Sequence, residues 1–166
     1  MNEAIREVLS EAGAPPLPEP LAGCIVDSHT HLDTVQDIVG IEPAISLAAA
    51  REVGVTRIAQ IGCDVEGSEF AEELARTHKN VIAAVAIHPN DAARLGRTTI
   101  GEALKRIDEL ASVGNHVRAI GETGIDYFGT TDADGQALQR EVFAAHIAMA
   151  HAHGLTLAIH MRDAHN

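Results

Sequence analysis

Five short apolar runs recur along the chain with helix-like segments between them, and this rhythm restricts the fold more than any single residue does. The runs are Cys24–Val26, Arg57–Ile61, Val81–Ile87, Val117–Ile120 and Leu155–Ile159, and the helical segments lie at about 42–53, 67–78, 99–113 and 135–152. Pro43 suits a helix start, while Gly54, Gly114 and Gly154 suit helix ends. Strands that read as continuous apolar runs, without alternation, are covered on both faces, as in a parallel sheet built from βα units. The choices are then a doubly wound sheet or a βα-barrel.

The residues that follow each run decide between them. Run one leads into Asp27, His29 and His31, and run two into Gly62, Cys63 and Asp64. Run three is followed by His88-Pro89-Asn90-Asp91, run four by Gly121-Glu122-Thr123-Gly124-Ile125-Asp126-Tyr127, and run five by His160, Arg162 and Asp163. Every strand thus delivers ligand-capable groups to its C-terminal end, which in a barrel is one rim. A doubly wound sheet would concentrate such groups at its switch point. The expected fold is α/β, a TIM (β/α)8 barrel with only about the first five strands present, since a full barrel takes roughly 250 residues. The 166 residues are therefore read as a fragment. Residues 1–22, a short helix with Ile5, Val8 and Leu9 on one side and then a Pro-rich linker, are expected to be an appendage to a domain over 23–166.

Composition narrows the function. Aromatic residues make up 2% of the chain, so the core must come from Ala, Val, Ile and Leu. The formal charge of -12 excludes a fold-wide basic surface, so any phosphate recognition must be local, through metal ions or a few Arg and Lys. Two cysteines form no disulfide framework, no run is long enough for a membrane span, and the N-terminus has no signal-peptide pattern. A cytoplasmic protein without membrane partners is expected.

His29 and His31 stand two apart, so in an extended backbone their imidazoles project the same way, and neutral imidazole is a common transition-metal ligand. Asp27 and Asp33 share that parity and can orient the rings or add oxygen ligands. An isolated His-x-His is more often a solvated turn. Glu122, between Gly121 and Gly124, can bridge two cations or simply cap a loop. His160 is either a ligand or an ordinary core histidine. Taken together at strand ends, His29, His31, Glu122 and His160 point to a metal site. Arg162 can clamp a phosphate or pair with Asp163 or Asp126. His88 can contact substrate or carry a proton, or be an ordinary loop histidine. Asp64 suits a helix cap, and Asp126 and Tyr127 either orient neighbours or pack. His78, His116, His146, His151, His153 and His165 read as surface residues.

Four blocks, Asp27–Asp33, Ile87–Pro89, Gly121–Tyr127 and Ile159–Ala164, resemble in order and spacing the signatures of the TatD family of metal-dependent deoxyribonucleases. Gln139 and Phe143 are similar to that family's Gln-x-x-x-Phe helix. The resemblance covers about residues 23–165. It implies a TIM-barrel hydrolase with two divalent metal ions (Mg, Mn or Zn). In it, His29 and His31 bind one ion, His160 binds the second, and Glu122 bridges them. Glu122, His88 and Arg162 are the implied catalytic residues, with His88 and Arg162 on the substrate. The implied substrate is DNA, or another nucleic acid, attacked as a 3′–5′ exonuclease; some relatives act on other esters, including D-aminoacyl-tRNA. The chain departs from the family pattern at Asn90, where His-Pro-His is common. The family's later ligands would fall beyond Asn166, so the 166-residue piece is expected to be inert on its own.

Overall fold

The computed structural model describes residues 3–165. They fall into two compact units, one up to Gln60 and the other from Ile61 onward.

The first unit contains α1 (Glu3–Glu11), β1 (Ile25–Thr30), α2 (Leu32–Val39), α3 (Pro43–Glu52) and most of β2 (Val55–Ile61). The N-terminal helix forms as the sequence suggests, and it buries Ile5 and Leu9 with Ile41 and Ala49, flanked by Leu17, Val35 and Ile45. Val8, expected on the same side, is 37% exposed. Pro43 occupies the first turn of α3, where its missing N–H costs nothing. β1 and β2 pair in parallel, with Asp27 beside Ile58 and Thr30 beside Gln60. The short α2 was not expected. It begins directly after His31 with no side-chain cap, so no start signal marks it, and Gly40 closes it in a left-handed turn at φ 74°.

The second unit carries α4 (Val65–Thr77), β3 (Val81–Val85), α5 (Pro89–Leu95), α6 (Ile100–Ala111), β4 (Val117–Asp126), α7 (Ala133–His153) and β5 (Thr156–Arg162). Its strands lie in the order β3-β4-β5, all parallel, with Val85 beside Ile120 and Gly124 beside His160. Asp64 caps α4 by accepting from the Gly67 N–H at 2.7 Å, the role its position suggested. The core is aliphatic, with Val85, Ile87, Ile107 and Ile120 fully buried. Burial on both faces describes β3 and β4 better than β5, whose Ile159 and Met161 are more than half exposed.

Two corrections concern the site. The strands run past their last apolar residue, β1 to Thr30, β4 to Asp126 and β5 to Arg162. His29, Glu122, His160 and Arg162 therefore sit on strands and not in the loops after them, because parallel ladders continue through polar residues as long as a neighbour pairs. His146, expected at the surface, is completely buried on α7. Its Nδ1 meets the Thr123 hydroxyl at 2.7 Å, and its Nε2 has no hydrogen-bond partner among the described residues.

Burial lowers the His146 imidazole to about 4, below the usual value near 6.5. Between those values the unfolded chain takes up a proton that the fold refuses, so stability is full above about pH 6.5 and falls as pH drops towards 4. The loss attributable to this group is about 3 kcal/mol. A His146→Gln variant should flatten that part of the denaturation-versus-pH curve, and an unchanged slope would show that other groups set it.

Candidate metal centre

In the first unit, His29 on β1 and His31, the residue between β1 and α2, bring their rings together. Their Nε2 atoms lie 3.1 Å apart, with the rings edge-on at 67°. Asp27 Oδ1 accepts from the His29 N–H at 3.1 Å, so that carboxylate stiffens the strand under the first ring. The turn after them is held by Gln60, whose carboxamide is completely buried. Gln60 Oε1 accepts from the Leu32 N–H at 2.9 Å, and its Nε2 donates to Asp33 at 2.9 Å. Asp33 is thereby committed to the scaffold, and a buried amide fixes the backbone on the far side of His31. Nothing in an apolar run marks Gln60 for this part, and the sequence reading missed it.

In the second unit, His88, Glu122, Asp126 and His160 converge. His160 is gripped from both sides, with Nδ1 at 2.8 Å from Glu122 Oε1 and Nε2 at 3.0 Å from Asp126 Oδ2. A neutral imidazole has one N–H and one lone pair, so two carboxylates are one acceptor too many for it. The ring of His88 stands edge-on to His160 at 4.5 Å between centroids. One donor atom from each of His88, Asp126 and His160 lies within 4.8 Å of the other two. Three nitrogen and oxygen donors at that spacing suit a divalent cation of the Zn or Mn kind. Close packing of β4 on β5 allows this, since a Cβ on Gly124 (φ 147°) would overlap the His160 carbonyl oxygen.

Asp126, which sequence alone could not separate from a packing residue, is the hub of this cluster. Its carboxylate also accepts from the Gly129 N–H at 2.6 Å and from Asn90 Nδ2 at 2.9 Å. Burial by itself would raise its pKa, but the Gly129, His160 and Asn90 hydrogen bonds outweigh it and hold the group below the usual carboxylate range. Asn90 is bound at both ends, since its Oδ1 accepts from Thr130 Oγ1 at 3.2 Å. Gln139, buried in α7, accepts from the Asp126 N–H at 2.9 Å and donates to the Asp126 carbonyl at 3.1 Å and Thr130 Oγ1 at 2.8 Å. The strand end bearing Asp126 is thus pinned through both backbone and side chain. The parity of Glu122 and Asp126, four apart on one strand, was the signal that could have found it.

His88 caps α5 by accepting from the Asn90 N–H at 3.2 Å through Nδ1, which leaves Nε2 to carry the proton. Burial pushes its pKa below the usual value, and His160 pushes it further, against smaller pulls from Glu122 and Asp126. Arg162 goes elsewhere. Its guanidinium lies over the Phe128 ring, with Cζ 3.7 Å from the centroid, and not in the ion pair with Asp163 or Asp126 that was its alternative.

The family model described as TatD related DNase matches residues 26–166. The chain belongs to this family. It is 38% identical over 147 residues to an uncharacterized metal-dependent hydrolase TatD of Mycobacterium tuberculosis, covering 84% of this chain and 52% of that one. It is 34% identical over 122 residues to a 3′-5′ ssDNA/RNA exonuclease TatD of Enterobacter lignolyticus, covering 72% and 43%. Among solved structures, the crystal structure of YJJV, a TatD homolog from Escherichia coli, superposes with a TM-score of 0.70 at 23% identity, over 85% of this chain and 52% of that one. The TatD fold class, α/β of the TIM-barrel type, is the expected one. The chain spans about half the length of the curated relatives it matches. Among the described residues, no helix is long and apolar enough to cross a membrane.

Proposed function

We propose that this TatD-family chain is part of a cytoplasmic metal-dependent hydrolase that cleaves phosphodiester bonds of nucleic acid, DNA first, from the 3′ end. Residues 23–166 belong to its barrel domain, and residues 1–22 are an addition to it. The observation that carries the reading is the His88–Glu122–Asp126–His160 cluster on a chain whose relatives include proteins named as exonucleases.

His29 and His31 in the first unit, and Glu122 and His160 in the second, are the residues proposed to hold two divalent ions. Once bound, such ions supply Lewis acidity and a nucleophilic water at neutral pH. The chain's own part is to orient and to hold protons. Asp126 fixes the His160 ring from behind, as a carboxylate does for a ligating histidine. His88, kept neutral with its proton on Nε2, offers an N–H to a phosphate oxygen of the substrate. Arg162, with its Cζ over the Phe128 ring, is the second proposed phosphate contact through its N–H groups. Local cations also account for how a chain with net charge -12 accepts a polyanion.

The test uses the purified full-length protein with single-stranded oligonucleotides labelled at either end, in Mg²⁺ or Mn²⁺. Stepwise shortening from the 3′ end, abolished by EDTA, is expected. Intact oligonucleotides in both metals, beside turnover of an aminoacyl ester, would replace the nuclease reading with another ester hydrolase.

A further inference from the structure

Phe128 is one of only four aromatic residues in the chain, three Phe and one Tyr, and it is spent on the surface, 60% exposed. It lies two residues beyond Asp126, in the connection from β4 to α7. One face of its ring is covered by the Arg162 guanidinium, so the exposed area belongs to the other face and the rim.

The ring is also held in place. On one side of it, the Tyr127 N–H donates to the Arg162 carbonyl at 3.0 Å. On the other, the Gly129 N–H donates to Asp126 at 2.6 Å. Asp126 and Arg162 are partners in the β4–β5 register, so the metal-site carboxylate and the stacked guanidinium share one scaffold. Arg140 donates to the Tyr127 hydroxyl at 2.7 Å, which ties the neighbouring side chain to α7. A fixed flat apolar surface backed by a cation, beside a cluster of metal-type donors, suits a planar electron-rich ring joined to a phosphate.

We infer that Phe128 and Arg162 form a stacking platform for a nucleobase at the end of a single strand, with the open face of Phe128 receiving the base and the guanidinium edge its phosphate. This rests on the nuclease reading above and adds to it the surface that receives the terminal base. Stacking on an aromatic ring accepts any base, so the platform gives little sequence preference. A base paired inside a duplex has no free face to offer, so single-stranded ends are favoured.

The platform is tested by binding in EDTA, with the full-length protein and two short single strands that differ only at the 3′ terminus. One ends in 2-aminopurine, whose fluorescence is quenched by stacking; the other ends in an abasic site. The wild type is expected to bind the first about tenfold tighter, with quenching. Phe128→Ala should remove that difference, and Phe128→Trp should keep it. A Phe128→Ala protein with full preference and full quenching overturns the platform, as does a wild type that binds both strands equally. Cleavage in Mn²⁺ is scored separately. A wild type that cuts neither strand overturns the nuclease reading, while the comparison of base with abasic end still judges the platform.

Discussion

Glu122→Gln is expected to lower metal-dependent cleavage by at least about a hundredfold, since even the residues behind metal ligands cost 10- to 100-fold when removed. The exchange keeps the length and shape of the side chain, and its amide can still face His160 Nδ1, now 2.8 Å from Glu122 Oε1. What disappears is the negative charge, on which the proposed metal binding would depend. The side chain is 16% exposed and the exchange is isosteric, so the fold should tolerate the change. Thermal midpoints in EDTA should therefore agree for the two proteins, while metal titration and kcat/KM separate them. Undiminished cleavage by the variant would remove Glu122 from the reaction.

Gln139→Leu should cost about 3 kcal/mol of stability and lower the melting midpoint by about 10 °C. Leucine fills much of the same volume, so the effect is not one of a cavity. It comes from the Asp126 N–H and C=O, both of which lose their carboxamide partner in a site that water does not reach. Each stranded buried group costs about 1–3 kcal/mol, and the added apolar surface returns part of it. Because the same hydrogen bonds hold the strand end that presents Asp126, cleavage should fall along with stability. Calorimetry on the two proteins checks the first effect, and a midpoint within 2–3 °C of wild type would mean that the Asp126 backbone finds other partners.

What could be seen without coordinates followed the strength of the local signal. The βα rhythm is carried by many residues at once, so all five strands and the four longer helices stand where the apolar runs and the Pro and Gly punctuation place them. α2 and α5 are eight and seven residues long and too short to show a period. The convergence of His29 with His31 follows from strand parity alone. Asp126 has the same parity as Glu122, but the apolar run ends at Ile120 and gives no sign that the strand continues to it. Gln60 and His146 were hidden for a different reason. A buried polar residue is defined by partners far away in the chain, here 27 positions between Gln60 and Asp33 and 23 between Thr123 and His146. Periodicity sees only neighbours.

His160 is held on both ring nitrogens, by Glu122 on one side and Asp126 on the other. A ring clamped in this way has no freedom to swing, so a bound group must adapt to the imidazole and not the reverse.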